Sequence, residues 1–488
     1  MVMPGDFMVG RCMGRRTAAA AILLLLSACA SFSPDGGFGT VEQAVSSRTG
    51  QTTQWVRSPD AADSVQARVA ELLARPISAD DAVRIALLNN AGLQAEYASL
   101  GIAEAELVQA SRWRGPRLSF ARLTRGDELE IERGVFFDVL GLLAIPLSTK
   151  AQGERFEATK LRAAGAALRV AQDARKAWIN AVAAQQGVTY AMQVKDAAAA
   201  GAELGKRMAA AGNWSALAEA NEKSFELDAL AQLARARQAS LAARERLIRA
   251  LGLASGKDLR LPERLPDLPA ALPKPFPDVE STDAAEMEAR ALAQRLDVQA
   301  ARRDAESLAQ TLELSRVTRY IDLVELGFVR KTNAPALPQR GWELDIRLPI
   351  FDFGEAKTAR AESQYMQAFN RARDTAVRAR SEVRETHGAL RERFELARHY
   401  RDDVLPLRKR VSEEVLLRYN GMLSSVFDLL ADARSQTASV LATLDAQRDY
   451  WLAESDFQMA LTGLSSGGSE AAASGTVTAS SAQPGGGH

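Results

Sequence analysis

Cysteine is almost missing from this chain: Cys12 and Cys29 are the only two in 488 residues, both within the first thirty. A disulfide framework and a cysteine-based metal site are therefore excluded from the rest. Histidine is equally sparse, with His387, His399 and His488 alone, so no His/Cys cluster is available for a metal. Charge of one sign is lacking too. Lys+Arg and Asp+Glu both count 61 and cancel, which removes the basic excess of a nucleic-acid binder and the acidic bias of a solvating tail. No P-loop, G-x-S-x-G or H-E-x-x-H string occurs. Acidic pairs are those of ordinary charged helices, so nothing argues for an enzyme or a cofactor. Aromatics make up only 6% while charged residues reach 25%. Alanine is plentiful, and it both favours helix and lets helices approach closely. That composition points to long packed helices.

The N-terminus reads as an address. Arg11, Arg15 and Arg16 precede the apolar run AAAAILLLL at 18–26, followed by small residues up to Cys29. This is a secretory signal over 1–28, too short to span a bilayer. Leu26-Ser27-Ala28-Cys29 resembles the lipobox of bacterial lipoproteins, whose cysteine becomes the lipid-bearing first residue; an ordinary signal with a chance cysteine is the alternative. Ala30 rather than aspartate in the next position favours, by that resemblance, the outer membrane of a Gram-negative cell. Met13 offers a shorter alternative start. Several acyl chains would hold the chain firmly.

The mature chain divides into 29–76, a mixed polar segment; 77–253; a Pro-rich linker at 254–281; 282–464; and a Ser/Gly/Ala-rich tail at 465–488 that reads as disordered. The two long parts look alike. Each opens with a helical pattern (79–113 and 282–318) and continues with strand-like sequence (116–148 and 320–350). Each then runs into a very long helical stretch, 150–211 and 354–420. Gly212 and Gly421 follow, and a helix of about forty residues ends each half. Pro146 and Pro349 lie 203 apart, Gly212 and Gly421 209, Gly252 and Gly463 211. So small a drift indicates duplication. In the first long stretch Leu161, Ala164, Leu168, Ala171, Trp178 and Val182 keep a near-heptad spacing, interrupted at Arg175, which favours supercoiled packing. Pro406 inside the second predicts a kink. Gly421 is expected to reverse the chain.

In 342–350, Trp342, Leu344, Ile346, Leu348 and Ile350 share one face, and Glu343, Asp345 and Arg347 the other. The strand from Ile321 to Val329 alternates less strictly, and the apolar run from Val135 to Leu147 hardly at all. Period-two alternation suits a membrane barrel with a wet lumen; it fits a half-buried hairpin of a soluble domain equally well. One chain supplies about four strands. Four cannot close, and an open edge is forbidden in lipid, so a membrane reading requires an oligomer; three chains give twelve strands.

The segment from Pro76 to Ala110, the strand pairs, LPIFDFG at 348–354 and RYNGMLSSVFDLLADA at 418–433 resemble, in order and spacing, the TolC-like outer-membrane efflux family. The resemblance covers roughly 65–464 in both repeats. The opening helix and the lipobox look most like the branch serving heavy-metal and related resistance-nodulation-division (RND) pumps. It implies a mainly α fold with a small membrane β part: duplicated strand pairs and long helical hairpins. Three copies would form a twelve-stranded β-barrel continued by a twelve-helix α-barrel. It also implies a homotrimeric duct without cofactor or metal. That duct would sit in outer-membrane lipid through Cys29, working with a periplasmic adaptor and an inner-membrane RND-type pump, with metal ions as the leading cargo.

Arg418, Tyr419, Gly421, Ser424 and Ser425 match the family's R-Y-x-G-x-x-S turn, which meets the adaptor; Arg207, Gly212, Asn213 and Ser215 occupy its place in the first repeat. A plain helix–turn–helix would also place glycine there. Asp428 falls where the family often has a pore-facing carboxylate, and Asp432 lies one turn further on the same face. Three copies would make an anionic ring; a solvated helix face is the alternative. The family's D-x-L-D is incomplete, because Ala431 stands at its second carboxylate. A lipid-anchored periplasmic coiled-coil adaptor remains the rival architecture, and it leaves the duplicated strand pairs unexplained.

Overall fold

The computed structural model describes residues 31–126, 128–272, 284–320, 323–334, 337–347 and 353–463. The signal and Cys29, the tail, the end of the Pro-rich linker, and Leu348, Ile350 and His488 lie outside the described residues. Eleven helices and four strands follow one another among those described. They are α1 (Phe38–Thr49), α2 (Pro59–Leu73), α3 (Ala79–Asn89), α4 (Ala91–Ser111), β1 (Arg117–Arg125), β2 (Glu128–Asp138), α5 (Val139–Ala210) and α6 (Ala216–Ala250). Then come α7 (Ala284–Gln294), α8 (Leu296–Val317), β3 (Leu323–Ala334), β4 (Gln339–Arg347), α9 (Glu355–His399), a π-helical turn (Tyr400–Val404), α10 (Leu405–Asn420) and α11 (Val426–Thr462). The mainly α class with a small β part is thus observed.

The chain forms two compact units. The first comprises Met1–Thr40, Tyr97–Ala163 and Gln299–Asp374. Its centre is a four-stranded antiparallel sheet in the order β1-β2-β3-β4, so the two strand pairs meet along β2 and β3. Helices beside the sheet are tied by ion pairs: Arg303 to Glu154 at 2.7 Å, Arg155 to Glu106 at 3.2 Å, and Arg162 to Asp304. The Ser307 hydroxyl donates to the carbonyl of Ala151 at 2.8 Å.

One expectation is corrected here. The apolar run 139–147 is not strand; it is the start of α5, and Pro146 lies inside the helix. The switch comes at Asp138, whose carboxylate accepts the Gly141 backbone N–H at 2.7 Å. That is the N-capping arrangement that starts helices. A Cβ at Gly141 would come within 2.2 Å of that carboxylate as it is placed, so a larger residue there would have to shift the cap. Pro406 is likewise accommodated. The hydrogen-bond ladder widens to the five-residue π turn just before it, with Leu405 N–H donating to Tyr400 C=O. Such a turn absorbs the carbonyl that a proline ring would strike.

The second unit comprises Val41–Glu96, Ala164–Val298 and Thr375–His488. Its larger core packs Ile77, Ile85 and Leu88 against Trp178, Ile179, Val182, Leu247 and Leu251. Each such side chain contributes on the order of 1.5–3 kcal/mol of burial. The Trp178 indole N–H donates to the Ile77 carbonyl at 2.9 Å, so its polar handle is satisfied. A second core joins Val383, Leu390 and Phe394 to Ala446, Tyr450 and Phe457.

Both opening helices are broken near their middle, at Asn90 and at Arg295, where one unbroken helix is expected in each half. The two breaks do the same job with different side chains. The Asn90 amide donates to the Ala250 carbonyl at 3.3 Å, while the Arg295 guanidinium donates to the Ala460 carbonyl at 3.1 Å. Each satisfies one of the last carbonyls of the helix that ends its repeat, groups that no intrahelical N–H can reach. Arg295 is fully buried and neutralised by Asp297 at 2.6 Å and Glu382 at 2.9 Å.

Candidate functional site

Two regions carry features beyond packing. The first is the sheet. Because paired residues of neighbouring strands point to one side, the register sorts every described side chain. One face holds Leu118 and Phe120 of β1, Val135 and Phe137 of β2, Val324, Leu326 and Phe328 of β3, and Trp342, Leu344 and Ile346 of β4. Six of these are exposed, Leu118 by 75% and Trp342 by 71%, and Val135, Phe137, Val324 and Leu326 are half-buried. Trp113, which precedes β1, stacks on Phe137 with ring centroids 5.4 Å apart and donates to the Asp138 carbonyl at 3.0 Å.

The opposite face carries Glu130, Glu132, Asp138, Glu325, Glu343 and Asp345 together with Arg117, Lys331 and Arg347. Arg117 pairs with Glu325 and lies over the Phe136 ring at 4.3 Å; Lys331 pairs with Glu132 at 3.2 Å. Phe136 lies flat there because Gly134 and Gly327 leave room: a Cβ on either would come within 2.6 Å of its ring. No helix among the described residues is long and apolar enough to cross a membrane.

The second region is the pair of turns joining α5 to α6 and α10 to α11. Both end in the same way, 210 residues apart. The Asn213 N–H donates to the Met208 carbonyl at 2.9 Å, and the Leu423 N–H to the Arg418 carbonyl at 2.8 Å. This is the bond pattern of a Schellman ending, which needs one residue of positive φ. In the first turn that residue is Gly212, φ 73°. In the second it is Met422, φ 59°, and not Gly421, whose φ is −79°. Gly212 therefore corresponds to Met422, and the expectation that Gly421 reverses the chain is corrected. α10 ends at Asn420, and the left-handed residue that reverses the chain is Met422, one residue after the glycine.

Ser215 and Ser425 then cap the next helices, each hydroxyl accepting an N–H three residues on at 3.2 Å. Asp428 completes a capping box. Its carboxylate accepts the Ser425 N–H at 3.0 Å and the hydroxyls of Ser425 at 2.8 Å and Ser424 at 3.0 Å. Those bonds, the backbone one first, hold its pKa below the ordinary carboxylate value. Asp432 is buried within α11, and its Oδ2 has no hydrogen-bond partner.

The structure brings the two turns together, since Trp214 of the first stacks on Phe427 of the second at 4.6 Å. Arg207, Gly212, Asn213, Ser215, Arg418, Gly421 and Ser425 are all exposed, with Tyr419 and Ser424 half-buried. Arg207 and Arg418 each pair with a glutamate one helical turn back, Glu203 at 2.8 Å and Glu414 at 3.0 Å. Met422 is 95% exposed and Leu423 83%. Farther along, Glu222 is buried and pairs with Arg434 at 2.6 Å, and the Arg434 guanidinium covers the Phe225 ring at 4.5 Å.

No protein-family model and no curated relative matches the sequence. Solved structures do match. CusC, described with its transmembrane channel formation, is 16% identical with a TM-score of 0.65, over 79% of this chain and 92% of that one. The outer membrane protein VceC of Vibrio cholerae is 16% identical with a TM-score of 0.64, over 83% and 99%. The MtrE outer membrane channel of Neisseria gonorrhoeae, in its open state, is 20% identical with a TM-score of 0.61, over 78% and 88%. The chain shares the fold of these outer-membrane channels.

Within this channel fold, sequence reasoning missed Trp214, Phe427, Met422 and the Glu222–Arg434 pair. One signal could have found them: Glu222 and Asp432 both stand seven residues after a capping serine. His387 and His399, twelve residues apart on α9, do not converge. His387 packs 5.3 Å from the Phe457 ring, where burial and then Arg391 lower its pKa. His399 bonds Asp403 at 2.9 Å.

Proposed function

We propose that the chain is one subunit of a trimeric outer-membrane duct that passively passes solutes delivered by a periplasmic adaptor and an inner-membrane pump. The observation that carries this reading is the sheet with one bare apolar face, one charged face and two free edge strands, β1 and β4. In lipid both edges must be paired, and three copies joined β4 to β1 give a closed barrel of twelve strands. Its apolar face would meet lipid and its charged face a water-filled lumen. Trp113 and Phe137 suit the aromatic belt of such a barrel.

The exposed turns at Gly212 and Met422 are the docking point in this reading. Arg207, Asn213, Ser215, Arg418, Tyr419, Gly421, Ser424 and Ser425 supply polar contacts around Met422 and Leu423, the apolar knobs an adaptor would cover. Asp428, in three copies, is the candidate cation-attracting ring, with Asp432 buried one turn behind it; Cys29 is the lipid attachment. An RND-type pump as driver and metal ions as cargo rest on sequence resemblance. The purified protein is expected to form ohmic, cation-preferring channels in planar bilayers, with Asp428→Asn reducing that preference. Bilayers that stay non-conducting at concentrations sufficient for assembly would contradict the reading.

A further inference from the structure

The apolar face of the sheet is not uniformly apolar. Its described charged residues are Arg122, Arg133, Arg330 and Arg340, and it holds no carboxylate. The other face holds six carboxylates among the described side chains. Three of the arginines stand in one row: Arg133 is paired directly with Arg330, and Arg330 with Arg340, while Phe120 completes the row on β1. Arg122 lies one row further toward the β1–β2 hairpin. The preceding row, toward the helices, is Leu118, Val135, Phe328 and Trp342. Rows on one face are about 6.8 Å apart. The face therefore changes from aliphatic and aromatic to cationic in a single step, and all four guanidinium-bearing residues are exposed.

Like charges set directly opposite on neighbouring strands repel. On the charged face cations of the chain itself offset it: Arg117 pairs with Glu325, which stands between Asp138 and Asp345, and Lys331 with Glu132. On the apolar face nothing among the described residues offsets it. An anion from outside the chain would. The site must also be wetted by apolar chains on its helix-proximal side, since Trp342 and Phe328 border it.

We propose that this arginine row is a binding surface for phosphate-bearing lipid, with the acyl chains along the Trp342–Phe328–Leu118 row and the headgroup phosphates bridging Arg133, Arg330 and Arg340. Guanidinium suits the task because its planar fork donates two bonds to a phosphate and stays charged. The proposal rests on the membrane-barrel reading above. It goes beyond it by naming which lipid the barrel selects and at which level of the wall.

The test uses the full-length protein extracted from membranes. Native mass spectrometry follows retention of lipid A, a diphosphorylated lipid, against its dephosphorylated form and phosphatidylcholine. Wild type is expected to keep lipid A at least tenfold better than either comparison lipid. The triple variant Arg133→Gln, Arg330→Gln, Arg340→Gln is expected to lose that preference, while Lys331→Gln on the opposite face keeps it. In neutral detergent the triple variant should melt no lower than wild type, because the mutual repulsion is gone. Wild type alone supplies a variant-free check: lipid A should raise its melting temperature and the dephosphorylated form should not. Equal retention of all three lipids by a membrane-embedded wild type would overturn the proposal and leave the duct intact. A wild type found outside membranes altogether would overturn both.

Discussion

The two helical turns of the second unit have one backbone and two sets of side chains. Every backbone bond of the first recurs 210 residues later in the second. Yet Gly212 holds the left-handed position in one and Met422 in the other. Ser215 caps alone, with Ala218 three residues on, whereas Ser425 caps jointly with Asp428. Glu222 pairs with Arg434 through one carboxylate oxygen, while its other oxygen, like the Oδ2 of its counterpart Asp432, has no hydrogen-bond partner. Geometry is thus held by where helices end and where serines start the next ones. The remaining side chains have been free to diverge, and backbone strain has collected in the second turn, at Met422. In the duct reading that is the turn better suited to move.

The largest test of this difference is the Glu222–Arg434 pair. Glu222 is only 5% exposed, so Arg434→Met leaves a buried carboxylate without its cation and should cost about 2–3 kcal/mol. Hydrogen exchange at the α6 and α11 amides near the turns would show the loss. Asp432→Asn should leave protection unchanged or raise it; a loss like that of Arg434→Met would mean Asp432 has a partner of equal weight. Next is Gly212→Ala. A Cβ there meets nothing within 4 Å, so its cost of about 1–2 kcal/mol is purely that of a left-handed backbone. Met422→Gly runs the comparison backwards and should stabilise the second turn by up to about 1 kcal/mol; a decrease in protection would show that the Met422 side chain has a partner.

The smallest expected effect is a difference in acid. The depressed pKa of Asp428 gives the second turn stability that is present above the ordinary carboxylate value and is lost as pH falls through the lowered one. The first turn has alanine at that position. As pH falls below the ordinary carboxylate value the Ser425 end of α11 should loosen in wild type and hold in Asp428→Asn; equal loosening in both would remove Asp428 as the cause.

Much of this was legible in advance. β4 showed in strict alternation from Trp342 to Arg347; the repeat was read from landmark prolines and glycines, of which Gly421 lies one residue off the counterpart of Gly212. Three features were not. The segment 139–147 has no clear period because α5 begins there, and only the capping pattern at Asp138 marks the change. Gly421 misled because a glycine near a helix end is a strong prior, while Met422 takes the strained angle one residue later. The breaks at Asn90 and Arg295 are tertiary in origin: both side chains reach a helix end some 160 residues away, beyond what local sequence encodes. The repeat offset of 203 at the prolines was also partly accidental, since Pro146 is helical.

The central claim is that three chains close one barrel in the outer membrane. Its most direct test is to separate the membranes of a Gram-negative host making the full chain, crosslink, and size the detergent-extracted protein. A crosslink ladder ending at three copies, confined to the outer membrane, is the predicted result. A monomer in the periplasm or inner membrane would leave β1 and β4 unpaired and contradict the account.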